Sequence, residues 1–141
     1  MNQVNQNRFA LAARILLAAL FIVSGLNKIF SFEATQGFMA NAGVPATRLL
    51  LIITILLELI AGTMILIGYR ARLAAAALIL FLIPVTAIFH NPLAHNDPAM
   101  VHQQMIHFLK NLAIIGGLLH VLAFGGGAWS VRRERDLAFG E

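Results

Sequence analysis

Glu58 lies inside an apolar run, LLLIITILLELIAGTMILIG, that extends from Leu49 to Gly68. At the centre of a membrane-spanning helix an ionised carboxylate costs about 2.5–3.5 kcal/mol on insertion scales. A residue kept at that cost needs a partner or a task. Three cations in or at the ends of other apolar runs qualify as partners: Arg14, Lys28 and Lys110. Glu58 is then one half of a structural ion pair that fixes helix register, the centre of a ligand or proton site, or a protonated side chain facing lipid.

Spacing groups the polar residues further. Arg14, Phe21 and Lys28 recur every seven residues and share nearly one helical face, with Ser24 and Gly25 on the same side. Thr54, Glu58 and Gly62 form an i, i+4, i+8 stripe. Thr86 and His90 are one turn apart, and His107, Lys110, Asn111, Ile114 and Gly117 share a face. Hydrocarbon disfavours polar stripes turned to lipid, so the four should converge inside a bundle. The chemistry open to such a cluster is proton donation or relay to a bound carbonyl. Glu58, Lys110 and His107 are the acid–base candidates. Arg14, Lys28, His90 and Asn111 are the ligand-binding candidates. Lys28, Glu58, His107, Lys110 and Asn111 are expected to line one cavity opening toward the outer half of the bundle. Phe21, Phe81, Phe89 and Phe108 could wall it, although bundle packing explains them equally well.

The segment HNPLAHNDPAMVHQQMIH concentrates His90, His95, Asp97, His102 and His107. The spacing does not argue for a metal: His102 and His107 are five apart and no H-x3-H occurs. No metal, haem or flavin site is expected. Asn91-Pro92 and Asp97-Pro98 read as turns, with His90 and His107 hydrogen-bonded in the bundle mouth. His120 reads as a satisfied buried or interfacial histidine, and the run Ala74–Ala77 as close helix packing.

Elements able to position these residues follow from composition. Of 141 residues, 60% are hydrophobic and 11% charged, with a mean hydropathy of +0.82. A soluble domain of this size has too little interior to hide that surface, so the class is integral membrane protein. The pI of about 10.8 does not indicate nucleic acid, because the basic residues sit at the ends of apolar runs, where they set topology. There is no cysteine, which excludes thiol exchange, Fe–S clusters and Cys-ligated zinc. Any redox role therefore needs a bound cofactor or a partner protein.

Four segments reach the roughly 20 residues that a span requires: 9–29, 48–69, 72–90 and 105–124. The third carries Pro84, which predicts a kink or packing irregularity. The expected fold is all-α, an integral membrane four-helix bundle forming one domain over 1–141. Arg8, Arg14, Arg70, Arg72, Arg132, Arg133 and Arg135 fall on one side, and Lys28, Arg48 and Lys110 on or near the other. That asymmetry predicts cytoplasmic termini. Ile15–Val23 has the size of a signal peptide's apolar stretch, but Arg14 interrupts its approach and no clear A-x-A site follows. In the loop SFEATQGFMANAGVP, Ser31 can cap, Phe32, Phe38 and Met39 can dip into the interface, and Gly43 with Pro45 can stop a short helix. Trp129 is placed in the inner interfacial belt, and the tail 130–141 reads as polar and loose.

The ordered pieces Arg14-Ile15-Leu16, Ser24-Gly25…Lys28, Ala42-Gly43-Val44-Pro45, Glu58…Gly62, Gly68…Arg72, Phe89-His90, Phe108-Leu109-Lys110-Asn111-Leu112 and Gly116-Gly117 resemble the DoxX family of small bacterial membrane proteins. QMIHFLKNLAIIGGLL is most similar to its YqjF-like subgroup, and the likeness covers roughly 8–130. The resemblance implies a multi-pass protein of the bacterial inner membrane. Its wider relatives include a subunit of a thiosulfate:quinone oxidoreductase and proteins linked to oxidative stress or quinone detoxification. The leading expectation is a redox-associated protein that binds a quinone or similar hydrophobic aromatic between its helices, as an oxidoreductase or a subunit of one. It would serve or need a soluble redox partner. The alternatives are a proton-coupled permease for aromatic or acidic metabolites, expected as a homo-oligomer because four helices are few, and a non-catalytic scaffold subunit. Fold alone does not choose among them.

Overall fold

A computed structural model describes residues 2–127 and 129–131. It contains five α-helices: α1 (Gln3–Phe30), α2 (Phe32–Asn41), α3 (Thr47–Ile67), α4 (Ala71–Phe89) and α5 (Pro98–Phe124), with a 3-10 turn at Pro92–Ala94. Helices α1, α3, α4 and α5 are each long and apolar enough to cross a membrane. Their outward faces carry large bare hydrophobics, among them Leu16, Leu80 and Leu119. In water such surface would drive association; in a bilayer it meets its own solvent.

Each boundary has a local cause. The Asn2 side chain accepts from the Asn5 N–H and starts α1. Helix α3 ends at Gly68, whose φ of +71° suits a residue without Cβ, and the Tyr69 N–H returns to the Met64 carbonyl. Asn91 supports the 3-10 turn by accepting from the Leu93 N–H. Asp97 accepts from the Met100 N–H, and Pro98 follows at the first helical position. The Asp97-Pro98 pair is therefore a helix start, and α5 begins seven residues before the predicted 105. Pro84 lies inside a continuous α4, on its exposed side. Ser31 does not cap α2 with its side chain; its hydroxyl donates back to the Asn27 carbonyl, closing α1. The expected loose tail falls mainly on 132–141, outside the described residues.

Helix α1 packs most extensively on α3 and α5 on α4, whereas α1 and α5 meet only sparsely. Two apolar clusters result. One gathers Ala18, Phe21, Ala61, Ile65, Ala71, Ala74, Ala75, Leu78, Leu82, Leu118 and Val121. Ala74 and Ala75 are buried as expected of close helix contact. The cluster lies toward the end that carries the 68–70 turn and the segment after α5, here called the closed end. The other cluster is smaller, built on Met39, Leu51 and Ile55 with Phe32, Val44, Leu59 and Phe89 against it. It lies at the opposite, open end, beneath α2.

Candidate functional site

Helix register decides which cation reaches Glu58. A Cβ on Gly25 would sit 3.5 Å from the Glu58 Cβ, so the two backbones run close together at this level. Lys28, one turn further along α1, then points its ammonium at the carboxylate. Lys28 Nζ lies 3.0 Å from Glu58 Oε1 and 2.9 Å from Oε2. It also donates to Ser24 Oγ at 2.6 Å, and the Ser24 hydroxyl donates to Glu58 Oε1 at 3.2 Å. Three acceptors thus take the three ammonium N–H groups. Glu58 is 4% exposed, so a charge at this depth depends on that pairing.

Arg14 does not join them. It sits eleven residues before Gly25 on α1, about 16 Å along the axis. There it is 3% exposed and donates to the Gly126 carbonyl at 2.6 Å, the Trp129 carbonyl at 2.8 Å and the Ser130 hydroxyl. The Val131 N–H closes on the Ile67 carbonyl at 3.0 Å. Arg14, singled out as a ligand-binding candidate and as a partner for Glu58, is instead a clamp for the chain segment that follows α5. Gly68 and Gly126 make room for it, since a Cβ at either would strike Arg14 Nη1 and Ser130.

A cavity of about 300 Å³ opens between the helices at the open end. Its walls are mostly apolar and include Leu20, Phe21, Phe81, Val85, Phe89 and Ile114. Ser24, Lys28, Glu58, His90, Lys110 and Asn111 are among its polar lining residues. Phe38 of α2 stacks on Phe89 with centroids 5.4 Å apart and roofs it. Between α1 and α5, Gly117 packs under Leu17; closer to the open end Leu20, Lys28, Lys110 and Ile114 face the cavity.

Of the residues expected to share a cavity, Lys28, Glu58, Lys110 and Asn111 line this one, and His90 lines it too. His107 is not a lining residue. It stacks on His90, centroids 5.0 Å apart, and accepts from Lys110 Nζ through Nδ1 at 3.3 Å. His90 Nδ1 donates to Gln104 Oε1 at 3.1 Å. Asn111 Nδ2 donates to the Thr86 hydroxyl at 3.0 Å, a buried bond that ties α5 to α4. Phe108 is not part of the wall; Phe38 is. The short helix before Gly43 and Pro45 is present as expected, but its Phe38 turns over the cavity, a direction that the sequence does not give. His120 is exposed and leans on Phe124. Among the described residues no three His, Cys, Asp or Glu side chains converge.

Four apolar spans with a polar cluster held inside define a multi-pass membrane protein of the small four-helix class. Residues 9–91 match the DoxX family, and the chain belongs to it. The chain is 37% identical to the inner membrane protein YqjF of Escherichia coli K12 over 123 residues, covering 87% of this chain and 88% of that one. Inner membrane protein YphA of the same organism is 33% identical over 124 residues, 88% of each chain. The Surfeit locus protein 4 homolog of Schizosaccharomyces pombe is 29% identical over 92% of this chain but only 38% of its own length. No solved structure matches the chain.

Proposed function

We propose that this DoxX-family protein is a redox-associated protein of the bacterial inner membrane. In this reading it binds the head of a quinone, or a similar hydrophobic aromatic, as an oxidoreductase or the membrane subunit of one. The observation that carries the proposal is the cavity: about 300 Å³, apolar-walled, with polar groups gathered on it. That volume is at the lower end for small-molecule sites and suits a ring better than a large metabolite. Sparse contact between α1 and α5 suits a ligand arriving sideways from lipid, its tail left among acyl chains. Glu58 can accept from a ligand hydroxyl, while Lys110 can donate to a ligand oxygen. A bound quinone would supply the electron-carrying chemistry, the electrons coming from a soluble redox partner. The relatives' description as inner membrane proteins supports the location.

The Lys/Arg asymmetry orients the closed end to the cytoplasm, which turns the cavity mouth outward. Reporter fusions at residues 40 and 97 should read as external, and at 71 and 141 as internal. An external signal at 71 reverses the orientation. The binding reading is tested by quinone-dependent thermal stabilisation of the protein in nanodiscs. Ligand at 100 times its Kd should add about 2.7 kcal/mol. Glu58→Gln and Lys110→Met should weaken the effect while remaining folded. If no quinone stabilises the wild type, the proposal fails and a scaffold role takes its place.

A further inference from the structure

Counting charge around the cavity separates its two lysines. The described residues hold three carboxylates: Glu33, Glu58 and Asp97. Glu58 is taken by Lys28. Asp97 caps α5, and Glu33 lies exposed in the first turn of α2. Lys28 has all three N–H groups committed to Ser24 and Glu58. Lys110 has none committed to an anion: among the described residues its one polar contact is the neutral-side nitrogen of His107. Asn111, next in sequence, meets Thr86, three residues before α4 ends at Phe89. Lys110 is therefore about 3 Å below the level where α4 leaves the bundle, an exposed cation on the cavity wall with no counter-ion among the described residues.

Tautomers sharpen the picture. Because His107 accepts from Lys110 through Nδ1, its proton sits on Nε2, which makes it a second donor. His90 gives its Nδ1 proton to Gln104 and keeps an acceptor at Nε2. The deep part of the cavity is thus neutralised by Lys28–Glu58, and its rim carries the unspent positive charge of Lys110.

We infer that Lys110 is the specificity-determining cation of this cavity, and that the ligand is an aromatic acid whose ionised oxygen pairs with it. The inference rests on the reading of the cavity as an aromatic site and names the class within it. The ring lies against Phe21, Phe81 and Val85. Its phenolate- or carboxylate-type oxygen stops at Lys110. Pairing of this kind removes the cost of an unmatched cation near hydrocarbon. An anionic phospholipid headgroup offers the same chemistry, so the test has to separate the two sources.

The test uses the full chain in nanodiscs of zwitterionic phosphatidylcholine. Thermal-shift titrations compare 2-hydroxy-1,4-naphthoquinone, ionised at neutral pH, with its 2-methoxy analogue, which is neutral on the same ring. The hydroxy compound should bind about tenfold tighter, the gain of one charge-assisted contact. Lys110→Gln should erase that preference by weakening the hydroxy compound about tenfold more than the methoxy one, with an unchanged ligand-free midpoint, and Lys110→Arg should retain it. Adding phosphatidylglycerol to the discs should leave the hydroxy affinity unaltered. Equal affinities in the wild type would overturn the inference and leave the aromatic site standing. No binding of either compound would overturn both. Displacement of the hydroxy compound by phosphatidylglycerol through Lys110 would make the headgroup the anion and overturn the aromatic-acid assignment.

Discussion

Arg14 and Lys28 leave the same side of α1, two heptads and about 21 Å apart, and meet the problem of a buried cation in different ways. At the closed end, Arg14 has no carboxylate partner among the described residues and spreads its guanidinium over two backbone carbonyls and a hydroxyl. Around it the bundle is filled by small residues, with Ala71, Ala74 and Ala75 essentially inaccessible. At the open end, Lys28 takes a single carboxylate, and the helices beside it leave a cavity. One cation fastens chain segments; the other neutralises an acid on a cavity wall. Stability is concentrated at one end and room for a ligand at the other, the separation expected when a rigid base supports a binding site.

The largest effect should come from breaking the fastening. Arg14→Met removes the charged donor from the buried Gly126 carbonyl and from the part-buried Trp129 carbonyl and Ser130 hydroxyl, which should cost about 3 kcal/mol or more. Unfolding in detergent should show the lower stability, and protease should cut after α5 far faster. Arg14→Lys should recover only part of it, since a point charge cannot span acceptors set out for a planar fork. Next comes the pair at the open end. Lys28→Met leaves Glu58 buried without its cation and should cost about 3 kcal/mol. Glu58→Gln should cost less, and adding it to Lys28→Met should restore stability; a double variant no better than Lys28→Met would show that the pair is not coupled.

Two smaller changes sharpen the same contrast. Gly68→Ala places a Cβ at φ +71° and into Arg14 and Ser130, for about 1–3 kcal/mol. Its signature should be release of the segment after α5 in hydrogen exchange, with ligand binding unchanged. Asn111→Leu with Thr86→Val removes one interhelical bond beside the cavity, worth about 0.6 kcal/mol by analogy with other membrane bundles. A double-mutant cycle should find that coupling, and a value above about 2 kcal/mol would mean the open end is as tightly locked as the closed one.

The sequence shows the four spans plainly because unbroken apolar runs are governed by bilayer thickness. It shows the face of each polar residue, because helical period fixes direction. It does not show depth. Periodicity put Arg14 and Lys28 on one face and left both as partners for Glu58; close approach at Gly25 and Glu58 sets the register that chooses Lys28. The partners of Arg14 were hidden for a different reason. Two of them are main-chain carbonyls in the Gly-rich stretch after α5, and a carbonyl has no letter in a sequence. Asp97-Pro98 did carry a readable sign: a capping residue followed by proline marks a helix start as well as a turn. Lys110 and Asn111 were readable as cavity residues because they sit next to each other on one polar stripe. His107 was drawn in by that stripe, although its ring stacks on His90 outside the wall.

The Arg14 clamp also has a consequence in time. Its acceptors lie 112 to 116 residues later in the chain. At about 5–20 residues per second, a ribosome needs roughly 6 to 23 s to make that stretch. During that interval α1 has been synthesised and its arginine has none of its final acceptors. Helix α1 is among the last elements to be completed, and the bundle's closed end is finished only when the segment after α5 comes back to Arg14.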